Sequence, residues 1–104
     1  MVVNKKMALD FDQGIVSFDS KKREQTLINR GLDFKDAPEV FNGPVQFTFE
    51  DERKSYGEER FITIGLLKGR VVVLVWTPRG KVRHIISLRK ANEREKKKFK
   101  KFMD

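Results

Sequence analysis

The chain has 104 residues, 38% of them hydrophobic and 37% charged, and a formal net charge of +8. A chain of this length buries only somewhat over ~60% of its unfolded surface, which allows one core, built here around nine Phe, and excludes two. With no Cys and one His, it has no disulfide framework and no clustered Cys or His metal site, and its longest apolar run, Val71–Trp76, falls far short of a membrane span. Residues 1–104 are therefore expected to form one domain, with 1–14 a loosely organised extension that lacks the apolar stretch of a signal peptide.

The extension leaves room for a short strand around Met7–Phe11. Val16 and Phe18 alternate with polar neighbours, predicting a strand, and Asp19 or Ser20 can cap a helix from about Lys21 to Arg30 that Gly31 ends. Asp33 can cap a second helix, Phe34–Phe41, whose Phe34, Ala37, Val40 and Phe41 share a face; Asn42-Gly43-Pro44 then turns the chain. Val45, Phe47 and Phe49 alternate as a half-buried strand, and Asp51–Glu59 is a charged loop. Arg60–Leu67 reads as a strand, Lys68-Gly69 as a tight hairpin turn, and Val71–Trp76, apolar on both faces, as a central strand. Thr77-Pro78-Arg79-Gly80 turns the chain into a fourth meander strand, Lys81–Leu88. The closing helix, Asn92–Met103, begins with Asn92 and Glu95 at capping-box spacing and docks through Phe99 and Phe102, with Met103 on the same face. The fold class is α+β: an antiparallel sheet of four to five strands packed by two N-terminal helices and one C-terminal helix, with the helices covering one face.

Charge is unevenly placed. Between Arg89 and Lys101 stand eight basic residues and two acids, most of the net surplus. Such a concentration fits a nucleic-acid partner, or equally a solvated helix face or a site for an acidic protein partner. Phosphate-binding glycine loops and nucleophile elbows are absent, no cofactor or metal is expected, and Glu50, Asp51 and Glu52 read as solvated acids. The strand after Gly80 carries the remaining chemistry. Strict alternation puts Lys81, Arg83, Ile85, Ser87 and Arg89 on one face and Val82, His84, Ile86 and Leu88 on the other. Guanidinium forks and a hydroxyl on one face can hold phosphate; alternatively, these cations pair with the acids of residues 50–59. By its face His84 is a core or sheet-edge histidine, and Trp76 is either a base-stacking platform or a core residue.

Five segments in this order resemble the BrnT-type toxins of bacterial type II toxin–antitoxin systems, within the RelE/ParE-like superfamily. They are Phe18-Asp19-Ser20-Lys21-Lys22; Arg30-Gly31-Leu32-Asp33-Phe34 with Ala37, Phe41 and Pro44; Gly57 to Gly65; Val75-Trp76-Thr77; and His84-Ile85-Ile86-Ser87-Leu88-Arg89-Lys90-Ala91 followed by Glu95. Arg30 stands where the family has His, Thr26 where Asn is common, and Phe99 where many relatives have Tyr.

The resemblance implies a RelE-like fold and a cytoplasmic endoribonuclease that acts on mRNA, free or on the ribosome. It also implies a cognate ribbon-helix-helix antitoxin, with operator DNA reached only through that antitoxin, and no membrane role. By position, Arg60, Trp76, Arg79, Arg83, His84, Arg89 and Lys90 would line the RNA site, and His84 stands where the family often has Arg. Metal-free cleavage then assigns phosphorane stabilisation to Arg79, Arg83 and Arg89 and proton transfer to His84 or Glu95. Lys81 and Ser87 would add phosphate contacts, and Lys97, Lys98 and Lys101 would guide RNA or dock the antitoxin. Two other readings use the same basic surface: a non-catalytic RNA- or ribosome-binding module, and a protein-interaction domain.

Overall fold

The computed structural model describes residues 11–53, 55 and 57–103. Of the expected strand at Met7–Phe11 only Phe11 falls within them. The first strand, β1 (Val16–Phe18), leads through Asp19 into helix α1 (Ser20–Arg30). The Asp19 carboxylate accepts from the Lys21 amide, and Gly31 closes the helix at φ 68°, a left-handed conformation that costs glycine little. Asp33 repeats the device, capping a 3-10 turn (Phe34–Asp36) that runs into α2 (Ala37–Phe41). Then come β2 (Gln46–Glu50), β3 (Phe61–Leu67), β4 (Arg70–Arg79), β5 (Val82–Lys90) and α3 (Glu93–Met103).

The five strands form one sheet in the order β1-β5-β4-β3-β2, with β1 parallel to β5 and the other neighbours antiparallel. β1 and β2 are thus opposite edges, and the segment joining them, α1 to α2, crosses one face of the sheet. It buries Phe34, Ala37, Val40 and Phe41 against Leu74, Trp76, Ile85 and Leu88. Gly65 lets α2 approach closely, since a Cβ there would lie 2.8 Å from Val40 Cγ1. α1 itself buries no residue and leaves Ile28 75% exposed. It is held by polar ties instead: Arg23 forks onto Asp33 at 2.7 and 2.9 Å, and Arg30 Nη1 donates to the Leu88 carbonyl at 2.9 Å.

The helices do not share a face. α3 lies on the opposite one, where Phe99 is buried with Ile64, Val73 and Ala91, flanked by Phe47, Phe49, Ile62 and Leu66. β2, β3 and β4 are apolar on both sides, so one helical layer would leave a large hydrophobic surface in water. Asn92 and Glu95 make the expected reciprocal box, each side chain accepting from the other's amide at 2.8 and 2.9 Å.

Two further features differ from the patterned expectation. β4 continues through Thr77-Pro78-Arg79, pairing with Val82–His84, so the turn falls at Gly80-Lys81. A bulge then interrupts β5: Val75 pairs with Ser87 while Trp76 pairs with Ile85, leaving Ile86 without a register partner. Alternation therefore changes phase within β5. Arg83, Ile85 and Leu88 face α1 and α2, whereas Ser87 and Arg89 face the α3 side. The expected single face of Lys81, Arg83, Ile85, Ser87 and Arg89 does not exist.

Candidate active site around His84

The phase change separates neighbouring residues into different environments. Arg83 is 4% exposed, its guanidinium carbon 4.1 Å from the Phe41 ring centroid, 5.0 Å from that of Phe11 and 5.2 Å from that of Trp76. Burial lowers its pKa to about 10. Trp76 is 2% exposed, packs edge-on against Phe11 and Phe41 and tilted against Phe61, and donates its indole N–H to Thr63 Oγ1 at 2.8 Å. Both belong to the core and present no surface to a nucleic acid, contrary to the phosphate-binding and base-stacking roles expected of them.

His84 points the other way. Ser17 faces it from β1, because Val16 and Phe18 turn into the core, and Ser17 Oγ lies 2.8 Å from His84 Nδ1. The charged groups around the ring come from three elements. Arg79 extends from β4, Glu58 from the loop before β3, and Asp19 and Lys22 from the start of α1. Partial burial, and after it Arg79, hold the His84 pKa below its ordinary value, so the ring is neutral at pH 7. Glu58 pairs with Arg60 at 3.4 Å and with Arg79 at 3.7 Å, so the alternative of cations pairing with loop acids is realised at this corner.

A second group lies at the far end of β5. Arg89 forks onto both Glu95 carboxylate oxygens at 2.8 Å. The Arg89 hydrogen bond holds the Glu95 carboxyl below its usual range, and the same carboxylate accepts from the Asn92 amide. Arg53, forked onto the buried Asp51, is close enough to oppose the Arg89 charge. Five residues of strand separate His84 from Arg89, about 16 Å. They sit at two ends of one face and would meet different phosphates. Ser87 lies between them on that face, whereas Lys81 and Lys90 are exposed at the two ends of β5. Lys97, Lys98 and Lys101 line an open groove on α3 with Arg94, facing away from the core.

Sequence reasoning missed Ser17, Glu58 and Arg53. The outward direction of Ser17 was legible from its two apolar neighbours, but its partner was not, since parallel pairing of β1 with β5 leaves no local pattern. The apolar cluster under α3 takes in β2, β3 and the first part of β4 and stops short of residues 75–87. Beyond it on that face Val75 and Thr77 are still buried, Thr77 donating its hydroxyl to the Glu59 carbonyl, while Ser17, His84 and Ser87 are half-buried.

The chain is thus a small α+β protein with cations gathered on one face of its sheet and along its last helix. The family model described as "Ribonuclease toxin, BrnT, of type II toxin-antitoxin system" matches residues 18–95, and the chain belongs to that family. Its members are ribonuclease toxins, which gives this chain RNA as its substrate class and an antitoxin as its partner. A comparison with curated proteins finds no match. Among the described residues no helix is long and apolar enough to cross a membrane.

Proposed function

We infer that this protein cleaves RNA endonucleolytically at the corner of the sheet that holds His84 and Arg79, with Arg60 tied to the same Glu58. The observation that carries the reading is His84 itself: a half-buried imidazole directed away from the core of α1 and α2, one ring nitrogen occupied by Ser17, and Arg79 and Lys22 among the charges around it. The proton of a ribose 2′-OH passes to His84 Nε2 while O2′ attacks phosphorus. The O2′–P bond forms, the P–O5′ bond breaks, and the departing 5′-oxygen takes the proton back from the imidazolium, leaving a 2′,3′-cyclic phosphate and a 5′-OH. Arg79 and Arg60, released from Glu58 by the incoming phosphate, stabilise the phosphorane charge. These groups suffice for a metal-free reaction. Arg89, Ser87, Lys97, Lys98 and Lys101 carry the flanking strand, and Arg83 and Trp76 support the site from the core.

The resemblance of the five segments supports a ribbon-helix-helix antitoxin that alone touches operator DNA, and a cytoplasmic site of action on mRNA. Expression without antitoxin, followed by mapping of RNA ends, tests the activity. Wild type should generate new 5′-OH ends, and His84→Gln should generate them about 10²- to 10⁴-fold more slowly. Undiminished cleavage by His84→Gln and Arg79→Ala would remove the site assignment. The Glu58 clamp favours one rival, a non-catalytic RNA-binding module whose arginines exchange one anion for another; it predicts binding with no new ends.

A further inference from the structure

We propose that Ser17 is a positioning residue for His84: its hydroxyl accepts a hydrogen bond from Nδ1–H and so fixes the tautomer that leaves the Nε2 lone pair free as base. The proposal deepens the function proposed above and rests on it for the substrate, but the tautomer can be observed without any RNA.

The geometry carries it. β1 is only three residues long, and its parallel register sets Val16 against Arg83, Ser17 against His84 and Phe18 against Ile85. Val16 and Phe18 pack on the core beneath α1 and α2, and Phe18 meets Phe34 edge-on at 6.0 Å. These two anchors leave the middle residue no choice of face, and the hydroxyl lands 2.8 Å from Nδ1. Which nitrogen of a neutral imidazole carries the proton is set by the hydrogen bond made at the other. A hydroxyl accepting from Nδ1–H keeps that nitrogen protonated throughout. Nε2 then takes and returns the substrate proton without the ring turning, and the Nδ1–H bond persists in the imidazolium. The charged groups around the ring, Arg79, Glu58, Lys22 and Asp19, act in opposite directions on its charge, two lowering and two raising its pKa, and Ser17 makes the direct bond at Nδ1.

His84 is the only histidine in the chain, so its ring nitrogens can be read without assignment ambiguity by long-range ¹H–¹⁵N spectra of the labelled full-length protein. At pH 7.5 the wild type should show the Nδ1–H tautomer. Ser17→Ala should move the ring to the Nε2–H form and lower kcat about tenfold with KM unchanged, and Ser17→Thr should restore both. The remaining resonances report whether each variant is folded. An identical tautomer in wild type and Ser17→Ala overturns the proposal. A tautomer that moves while cleavage stays constant also overturns it, by showing that Nε2 carries no proton in the reaction. Loss of cleavage in His84→Gln, or its persistence, judges the parent reading separately.

Discussion

Arg83 and His84 are adjacent in sequence and opposite in fate, and each can be tested at its own position. The Arg83 guanidinium fills a box of three aromatic rings, where desolvated cation–π contacts contribute about 2 kcal/mol or more and truncation leaves a cavity. Arg83→Ala should lower unfolding stability by about 3 kcal/mol in a denaturant titration. Arg83→Lys should recover only part of this, because an ammonium cannot stack as a plane. For His84 the signature is in pH. Its pKa lies below the ordinary 6.5, so cleavage should be fully developed at pH 7 and should fall as acid is added through the folded-state value. Because the folded state prefers the neutral ring, the stability it contributes is present above about pH 6.5 and is lost as the pH falls through the folded pKa. A pH–rate profile checks the first expectation, and His84→Gln should abolish its acid limb. The cationic character of Arg83 was plain in the sequence. Its burial was not, because alternation was carried through a strand that changes phase.

Between neighbouring elements the sequence was most legible where the physics is local. The Asp19, Asp33 and Asn92–Glu95 caps, the left-handed Gly31 and the Lys68-Gly69 turn, with φ of 51° and 78°, all involve residues within a few positions of one another. The sheet order, the parallel edge and the choice of face for α3 depend on pairings between distant segments and had no such signal. The join between α1 and the 3-10 turn offers a direct measurement. Hydrogen bonds from Arg23 hold the Asp33 carboxyl at a pKa of about 2, against an ordinary 3.8. A depressed carboxylate contributes stability above its unfolded pKa, so this share should be intact above pH ~4 and lost as the pH falls through about 2. Asp33→Asn keeps a capping oxygen and removes the charge, so it should cost about 1 kcal/mol at pH 7 from the ion pair alone and should flatten the acid limb of a stability–pH curve.

The molecule as a whole divides its surface by charge. The acids Glu50, Glu52, Glu58 and Glu59 gather in and beside the loop before β3, while the cations of β5 and α3 gather at the ends of β5 and along the groove on α3. RNA bound along this track should show affinity that falls steeply with salt. For single strands the logarithmic slope is about −0.7 per phosphate contact, so replacing Lys97, Lys98 and Lys101 together by Ala should reduce it by about 2. Fluorescence titrations at several salt concentrations measure this. An unchanged slope would assign those lysines to another partner. The sign of this surface was legible from composition, but the separation of the His84 corner from the Arg89–Glu95 pair about 16 Å along the strand required the fold.

The unpaired Ile86 leaves a rhythm in which changes β5 can accept. A saturation library of Val82–Lys90, selected for folded protein, should show intolerant positions at Arg83, Ile85 and Leu88, spaced two and then three, where an uninterrupted strand gives two and two. Deleting Ile86 would remove the bulge and restore the regular beat with Leu88 still opposite Leu74 on the core side. The extra residue, and not a change of letters, is what lets Ser87 and Arg89 share a face with His84.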